Sequence, residues 1–488
     1  MNTRNVELMS HLPKEVVGDI TGFKLDAYLV ALEGWRRGLS LKWYKDETRF
    51  CKLARKNGSI SGRFFSLSSD QKTHYFLSSR GDKVANKSVY IAQDKEETKR
   101  IVQDKGVPVT KGKTLNVNDD SVFDYAQEIG FPVVIKPAKG SMGRGVYTNI
   151  KTPESLKNAI GDFKARHKYT EIIMEKHYFG NEYRMYVVGD KVIGATNRVP
   201  ANIQGDGIHS IEDLIKLKNE ERQGNPYLKS KPIKVDYEIK LALEEKGLTL
   251  DSVIGDGETL GLRKVSNLSA GGDPLDSTDE LTDEVKQVAV DGLNALPAIP
   301  HAGVDVIVDP EDNKKGVILE VNATAEIAFH MFPWEGKGRD VSGAIIDYYF
   351  PETINVKKSL WYFDFHSVLE PLKTWSADEI IIKKAPDLTH ELYGKQFIVH
   401  GKVLKTGYMT YIRKQALKRD VQGYTRKHGS SSIEVFLVGA DKKELGRFRD
   451  ICQRGTKKSK VESIEEKEVL IDDKTLKLGF EILTTKKK

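Results

Sequence analysis

Two periods of apolar residues run along the chain, and where each holds sets the elements it predicts. From Val89 the pattern sharpens. A Lys-rich amphipathic stretch predicts a helix over 94–105, ended by Gly106 and Pro108, and a second helix over 119–129 is stopped by Gly130. Pro132-Val133-Val134-Ile135 reads as a buried strand. Alternation of helix and strand continues to Phe350. Farther on, Gly303-Val304-Asp305-Val306-Ile307-Val308 and Val317-Ile318-Leu319-Glu320-Val321-Asn322 are apolar segments with the spacing of neighbouring strands. Residues 1–89, with runs such as Tyr28-Leu29-Val30-Ala31-Leu32, predict a small α/β module, and 356–395 a connector. After it the pattern resets. Strands over 396–403, 421–426, 431–438 and 459–468 and helices over 408–419 and 441–453 give β-α-β-β-α-β, the ferredoxin-like arrangement. The expectation is a multidomain chain mixing α/β and α+β units.

Composition narrows this. At 39% hydrophobic and 30% charged residues the chain is globular, and it has no run of 18 apolar residues to span a bilayer. Its first residues, MNTRNVELMSHL, lack the apolar core of a signal peptide. The two cysteines, Cys51 and Cys452, offer neither a disulfide framework nor metal-site spacing, so the expected compartment is a reducing cytoplasm, with no membrane partner. Charge is uneven: residues 401–488 carry 22 Lys and Arg against 12 Asp and Glu, whereas residues 1–400 carry 55 against 58. A basic face draws in nucleic acid, anionic lipid or acidic peptide, although a solvated basic surface is the commoner explanation.

Chemistry enters at Lys136, which ends the strand and is followed by Pro137 and the loop Gly140-Ser141-Met142-Gly143-Arg144-Gly145. A lysine fixed by a strand beside a glycine loop can place its ammonium on one phosphate while backbone N–H groups enclose others. A glycine-rich turn alone usually just turns the chain. Asp305, Glu320 and Asn322 are oxygen ligands, and period-two alternation puts Glu320 and Asn322 on one strand face. Such donors beside phosphates are what Mg²⁺ requires.

Several ordered motifs from about 90 to 355 carry a family resemblance: Asp94-Lys95 with Gly106-Val107-Pro108-Val109, VVIKP, GNEYRMYVVGDKVIGA, Gly205-Asp206-Gly207-Ile208-His209-Ser210-Ile211, LRKVSNLSAGGDPLDSTDE, LEVNATAEIAFHMFPWEGKGRDV and Tyr349-Phe350-Pro351. This stretch resembles the ATP-grasp domain of cyanophycin synthetases and bifunctional glutathione synthetases. The resemblance implies two α+β subdomains gripping ATP over residues 90–355, after a pre-ATP-grasp-like module over 1–89. It implies that Lys95 and Lys136 contact phosphates, with Lys99 a rival for the first role, and that Gly140, Ser141, Met142, Gly143 and Gly145 close over them. The strand containing Glu175 and Lys176 would receive adenine, Glu175 near its amino group, and Glu182 the ribose. Asp305, Glu320 and Asn322 would hold two Mg²⁺ ions, with Mn²⁺ as a substitute. Arg184, Arg198 and Arg263 would face the reacting groups, with Asn267 and Ser269 orienting the acceptor carboxylate.

Two departures stand out. Where the family has a Pro-Gly or similar small pair after the metal-binding asparagine, this chain has Ala325-Glu326. Residues 396–470 resemble acylphosphatase, yet the places of its catalytic arginine and asparagine hold Met409 and Lys427. Hydrolysis is therefore not expected. Lys402, Lys405 and Lys427 can form an anion-binding loop, or the module can simply pack or dimerise.

These readings imply an ATP-dependent carboxylate–amine ligase, releasing ADP and phosphate through an acyl phosphate. Its partners would be an amino acid and an amino-acid or peptide carboxylate, with an anionic partner at the basic C-terminal module and a homo-oligomer by family habit. The alternatives are a ligase modifying a protein or peptide tail, and a nucleotide-binding scaffold without turnover.

Overall fold

The computed structural model describes residues 6–45, 52–53, 62–138, 145–386, 391–471 and 475–483. The first module is built on the helix Phe23–Arg36, in which all but the first two residues are buried. A helix buried on every side must be wrapped by other elements. On one side lies a five-stranded sheet, in the order Glu379–Ile382, Ser40–Tyr44, Phe64–Ser68, Thr73–Leu77, Arg80–Gly81. Its first strand comes from the expected connector, which is therefore an integral part of this module. The connector also supplies backbone acceptors to the helix: Tyr28 Oη donates to Phe363 O at 2.9 Å and Trp35 Nε1 to Lys383 O at 2.7 Å.

Two further sheets follow. The first has the order Gly112–Asn116, Glu171–Lys176, Val133–Pro137, Tyr147–Ile150, all antiparallel, and packs on the helices Ser121–Ile129 and Pro153–Arg166. Helix Pro153–Arg166 is started by a capping box between Thr152 and Ser155 with Pro153 at its first position. The second sheet has the order Asp273–Asp276, Lys191–Val199, Asn181–Val188, His301–Val308, Gly316–Asn322, packed on the helix Asp283–Ala295. Gly292 lets that helix come close: a Cβ there would stand 1.9 Å from Ile318 Cδ1. A small lobe inserted between its strands, with helices Ile211–Arg222 and Tyr237–Glu244, has an apolar core of its own.

The segment after the second sheet, Ala325 to Phe350, buries its apolar side chains in the same core as the Phe23–Arg36 helix. The first module and the end of the large unit are thus one packed body. Beyond them the expected β-α-β-β-α-β order holds: Tyr393–Lys402, Tyr408–Lys418, Gln422–Lys427, Ser432–Gly439, a helical stretch of Lys442–Gly446 and Phe448–Arg454, and Lys460–Val469. Strand Phe480–Leu483 adds to the sheet edge parallel to Gln422–Lys427. Among the described residues no helix is long and apolar enough to cross a membrane.

Candidate active site

Antiparallel register fixes the first cluster. Strand His301–Val308 lies between two partners, and Asp305 stands opposite Arg184 on one and opposite Glu320 on the other, where the pairing shifts by one residue. Directly opposed residues share a face of the sheet. Arg184 therefore grips Asp305 with both Nε and Nη2, the latter 2.6 Å from Oδ2, while Arg198 Nη2 reaches the same oxygen at 3.0 Å. Asp305 is buried; burial raises its pKa, but the two guanidinium groups outweigh that and hold it well below the usual carboxylate range. Asn322 Nδ2 donates to Glu320 Oε1 at 2.9 Å, and Arg184 Nη2 lies 3.5 Å from the same oxygen.

The second cluster sits on the other sheet. Glu175, 2% exposed, offers one oxygen to Lys136 Nζ at 2.8 Å and the other to Lys99 Nζ. Burial alone would raise Glu175, and the two ammonium groups reverse it, leaving the carboxyl below its ordinary value. Burial pushes Lys99 down to about 8, against the pull of Glu175. Two buried ammonium groups on one carboxylate leave a surplus of positive charge, which suits an anion. Lys95, one turn before Lys99, points to the other sheet, its Nζ 3.4 Å from Glu320 Oε2. Helix Lys95–Asp104 is started by Asp94, whose carboxylate accepts from Glu96 N and Glu97 N.

Other expected residues fall elsewhere. Glu182 pairs with Arg198 on the strand face beside Arg184. Lys176 Nζ donates to Gly130 O at 3.0 Å and Phe131 O at 2.9 Å, which fixes the entry to the Val133–Pro137 strand. Arg263 pairs with Asp236 and Glu238 in the small lobe and donates to Ala270 O at 3.1 Å. Asn267 Oδ1 accepts from Ser269 N at 3.0 Å and Ser269 Oγ at 2.7 Å. The structure thus brings Arg184 and Arg198 together on Asp305, and sets Arg263, Asn267 and Ser269 in a separate polar network. Gly145 has a left-handed φ of 71° and packs near Pro137 and His167, whereas Gly140, Ser141, Met142 and Gly143 lie outside the described residues.

Residues 94–194 match the carbamoyl-phosphate synthase L chain ATP binding domain, and residues 395–482 match acylphosphatase. Cyanophycin synthetase of Crocosphaera subtropica is 35% identical over 271 residues, which cover 54% of this chain and 31% of that protein. The glutathione biosynthesis bifunctional protein of Pasteurella multocida is 33% identical over 277 residues, covering 54% of this chain and 36% of that one. This chain carries an ATP-grasp domain followed by an acylphosphatase-like domain. It spans about a third of the length of these curated relatives. The crystal structure of a bifunctional glutathione synthetase from Pasteurella multocida superposes with a TM-score of 0.47 at 28% identity, covering 61% of this chain and 41% of that one.

The ATP-grasp domain also holds residues that local sequence did not single out. Tyr227 and Lys231 hold Glu326 after the strand Gly316–Asn322, with Tyr227 Oη 3.1 Å from Oε2 and Lys231 Nζ 3.2 Å from Oε1. Their only local signal is a turn around Asn225 and Pro226. In the acylphosphatase-like domain Met409 packs against the core, and Lys402, Lys405 and Lys427 are exposed.

Proposed function

We propose that this chain is an ATP-dependent carbon–nitrogen ligase that converts a carboxylate to an acyl phosphate, releases ADP, and passes the acyl group to an amine with loss of phosphate. The observation that carries the reading is the pair of facing clusters joined by one helix. Lys99 and Lys136 supply surplus positive charge on one sheet, and Asp305, Glu320 and Asn322 supply oxygen donors on the other.

Asp305, Glu320 and Asn322 present carboxylate and amide oxygens on one sheet face, the donor set Mg²⁺ prefers. Lys95 and Arg184 neutralise Glu320 in this arrangement, a balance a divalent cation would also provide. Bound there, Mg²⁺ would neutralise phosphate oxygens and favour transfer of the terminal phosphoryl group. The chain's own contribution is charge and position. Lys99 and Lys136 bind phosphate oxygens as Glu175 holds their ammonium groups in place. Arg184 and Arg198, oriented by Asp305, offer guanidinium N–H groups to the oxyanion that develops when the amine attacks the acyl phosphate. The C–N bond forms as the C–O bond to phosphate breaks, and the departing phosphate carries away the proton that the amine loses.

By analogy with the named relatives, the carboxylate would come from an amino acid or peptide and the amine from an amino acid. Positional isotope exchange within ATP, dependent on the carboxylate alone, together with ADP release that rises when amine is added, is the expected result. AMP and pyrophosphate as products would overturn the reading, and so would ADP release indifferent to any amine or carboxylate supplied.

A further inference from the structure

The acylphosphatase-like domain is anchored at one end and carries unmatched charge at the other. Strand Ser432–Gly439 runs antiparallel to Tyr393–Lys402, so Val438 lies at the end near Tyr393 and Ser432 at the end near His400. The Val438 end is docked. Val438 is buried in the core of the first module, Phe436, Ile471 and Leu478 pack against that core, and Leu476 and Lys477 pair with Trp361 and Tyr362. The far end is assembled from three loops. Gly401 N donates to Ser431 O at 3.1 Å and Thr456 Oγ1 to Thr406 O at 3.1 Å, which draws together the segments that follow the strands Tyr393–Lys402 and Gln422–Lys427 and the helix Phe448–Arg454.

This far end gathers Lys402, Lys405, Lys427, Lys457, Lys458 and Lys460, all exposed, and none of them has a carboxylate partner among the described residues. Toward the docked end the cations are matched: Lys395 and Arg449 pair with Glu466, and Lys442 with Glu468. The segregation is unfavourable for the domain alone. Lys402 stands directly opposite Lys460 across the strand pair, where like charges repel. Lys405 holds a left-handed φ of 59°, a conformation that a side chain disfavours. Glu462 is the carboxylate beside Gly401, its Cγ 3.3 Å from where a Cβ would stand there, and it forms no ion pair with these lysines. The positive charge of this end is therefore left for something outside the chain.

We infer that this end of the domain is a docking surface for an acidic polypeptide. Charge complementarity sets the sign of the partner, and lysines spread over three loops, away from the anchored end, suit a partner with length. The kind of polyanion follows from what else stands there. Arginine forks, which grip phosphates bidentately, are few at this end: Arg426 is held by Glu434, which leaves Arg454. The exposed large apolar side chains of the domain are Leu417, Leu470 and Leu483, on three separate elements, so among the described residues it offers neither an exposed aromatic ring for a base to stack on nor an apolar cluster for a lipid surface. Lysine heads are point charges without a fixed fork, and they hold successive carboxylates of a chain without fixing its register. In the ligase reading, on which this last step alone rests, the docked chain is the one whose carboxylate is activated.

The test measures binding by the full chain at low salt, without nucleotide, using labelled poly-L-glutamate as the probe and an oligodeoxythymidylate of equal charge and phosphatidylglycerol vesicles as its rivals. Two triple variants remove the same charge from opposite ends of the domain: Lys402→Ala with Lys458→Ala and Lys460→Ala at the far end, and Lys442→Ala with Lys443→Ala and Lys467→Ala toward the docked end. All six side chains are exposed, so both variants are compatible with folding. The expected result is binding of poly-L-glutamate that weakens at least tenfold in the first variant and under threefold in the second. No binding of poly-L-glutamate, equal losses in the two variants, or tighter binding of the oligonucleotide or the vesicles would each overturn the docking surface. ADP release from MgATP with pools of carboxylates and amines is assayed in parallel. If poly-L-glutamate binds through the far end but no carboxylate and amine elicit ADP release, the ligase reading fails and the docking surface stands.

Discussion

Lys95 and Lys99 stand one turn apart on one helix and hold carboxylates of two different sheets, Lys95 at Glu320 and Lys99 at Glu175. Residues four apart share a helix face, so this separation arises because the helix lies across the gap between the sheets. It divides two roles that their neighbouring positions in sequence would merge. Lys99→Ala is expected to weaken AMPPNP binding at least tenfold, because it removes half of the buried positive pair. Lys95→Ala is expected to change nucleotide affinity less and to shift the Mg²⁺ concentration needed for half-maximal ADP release. Equal losses of nucleotide affinity in the two variants would refute the division.

Glu320→Ala and Lys136→Ala test the clusters more bluntly. Losing one preorganised charge from an active site costs roughly 10²–10³ in rate. Each variant should lose at least that much of its substrate-dependent ADP release and keep a wild-type far-ultraviolet spectrum. Near-normal turnover by Glu320→Ala would remove it from the metal donors.

Much of this was legible in the sequence, for physical reasons that also mark the boundary. Val133-Val134-Ile135 is β-branched and continuous, so it announced a buried strand, and alternation sets Lys136 on the same sheet face as Val134, which stands opposite Glu175. The order of the C-terminal module followed from alternation and turn residues alone. Strand Glu379–Ile382 did not announce its partner Ser40–Tyr44, because nothing local encodes a pairing across more than 300 residues. For the same reason nothing local marks Asp26 as the partner of a segment some 300 residues away. Only the packed structure puts it against Ile327 and Ala328. Arg184 and Arg263 looked equivalent as motif arginines, and the inserted small lobe is what separates them.

Asp26 also sets an expected pH dependence of stability. Burial, and after it the charge of Glu326, push its carboxyl up to about 8 in the folded protein from 3.8 for a free side chain. Between these values the native state holds a proton that the unfolded chain has released, so stability is greatest below the lower value and falls as pH rises toward 8. The slope from this one group approaches about 1.4 kcal/mol per pH unit in mid-window. Asp26→Asn keeps an acceptor for Ile327 N and Ala328 N and removes the titration. Urea unfolding from pH 5 to 8 should therefore show a steeper decline for the wild type than for Asp26→Asn. Parallel curves would mean that Asp26 is ionised in the folded state.

The last expectation concerns the acylphosphatase-like domain, which should bind anions without hydrolysing acyl phosphates. Met409 is the second residue of the helix Tyr408–Lys418 and packs on the domain core, so a thioether occupies the place where the family resemblance expects a guanidinium fork. A thioether is a weak acceptor and cannot hold a phosphate. Lys402, Lys405 and Lys427 are exposed, and an ammonium on such a surface can still attract one. Full-length protein should hydrolyse benzoyl phosphate no faster than buffer does. Changing all three lysines to alanine should weaken inorganic phosphate binding several-fold at low salt and little at 0.5 M salt, where the Debye length has shrunk to roughly half its ~8 Å physiological value. Truncation after residue 395 is a poor substitute for these point changes. It would remove Leu476 and Lys477, which pair with Trp361 and Tyr362, and Leu476 belongs to the core shared by the first module and the ATP-grasp domain. The truncated chain should therefore melt on the order of 5 °C lower. Brisk benzoyl-phosphate hydrolysis would show that the domain kept its chemistry by another residue. Phosphate binding unchanged by the triple substitution would leave packing on Trp361 and Tyr362 as what the domain contributes.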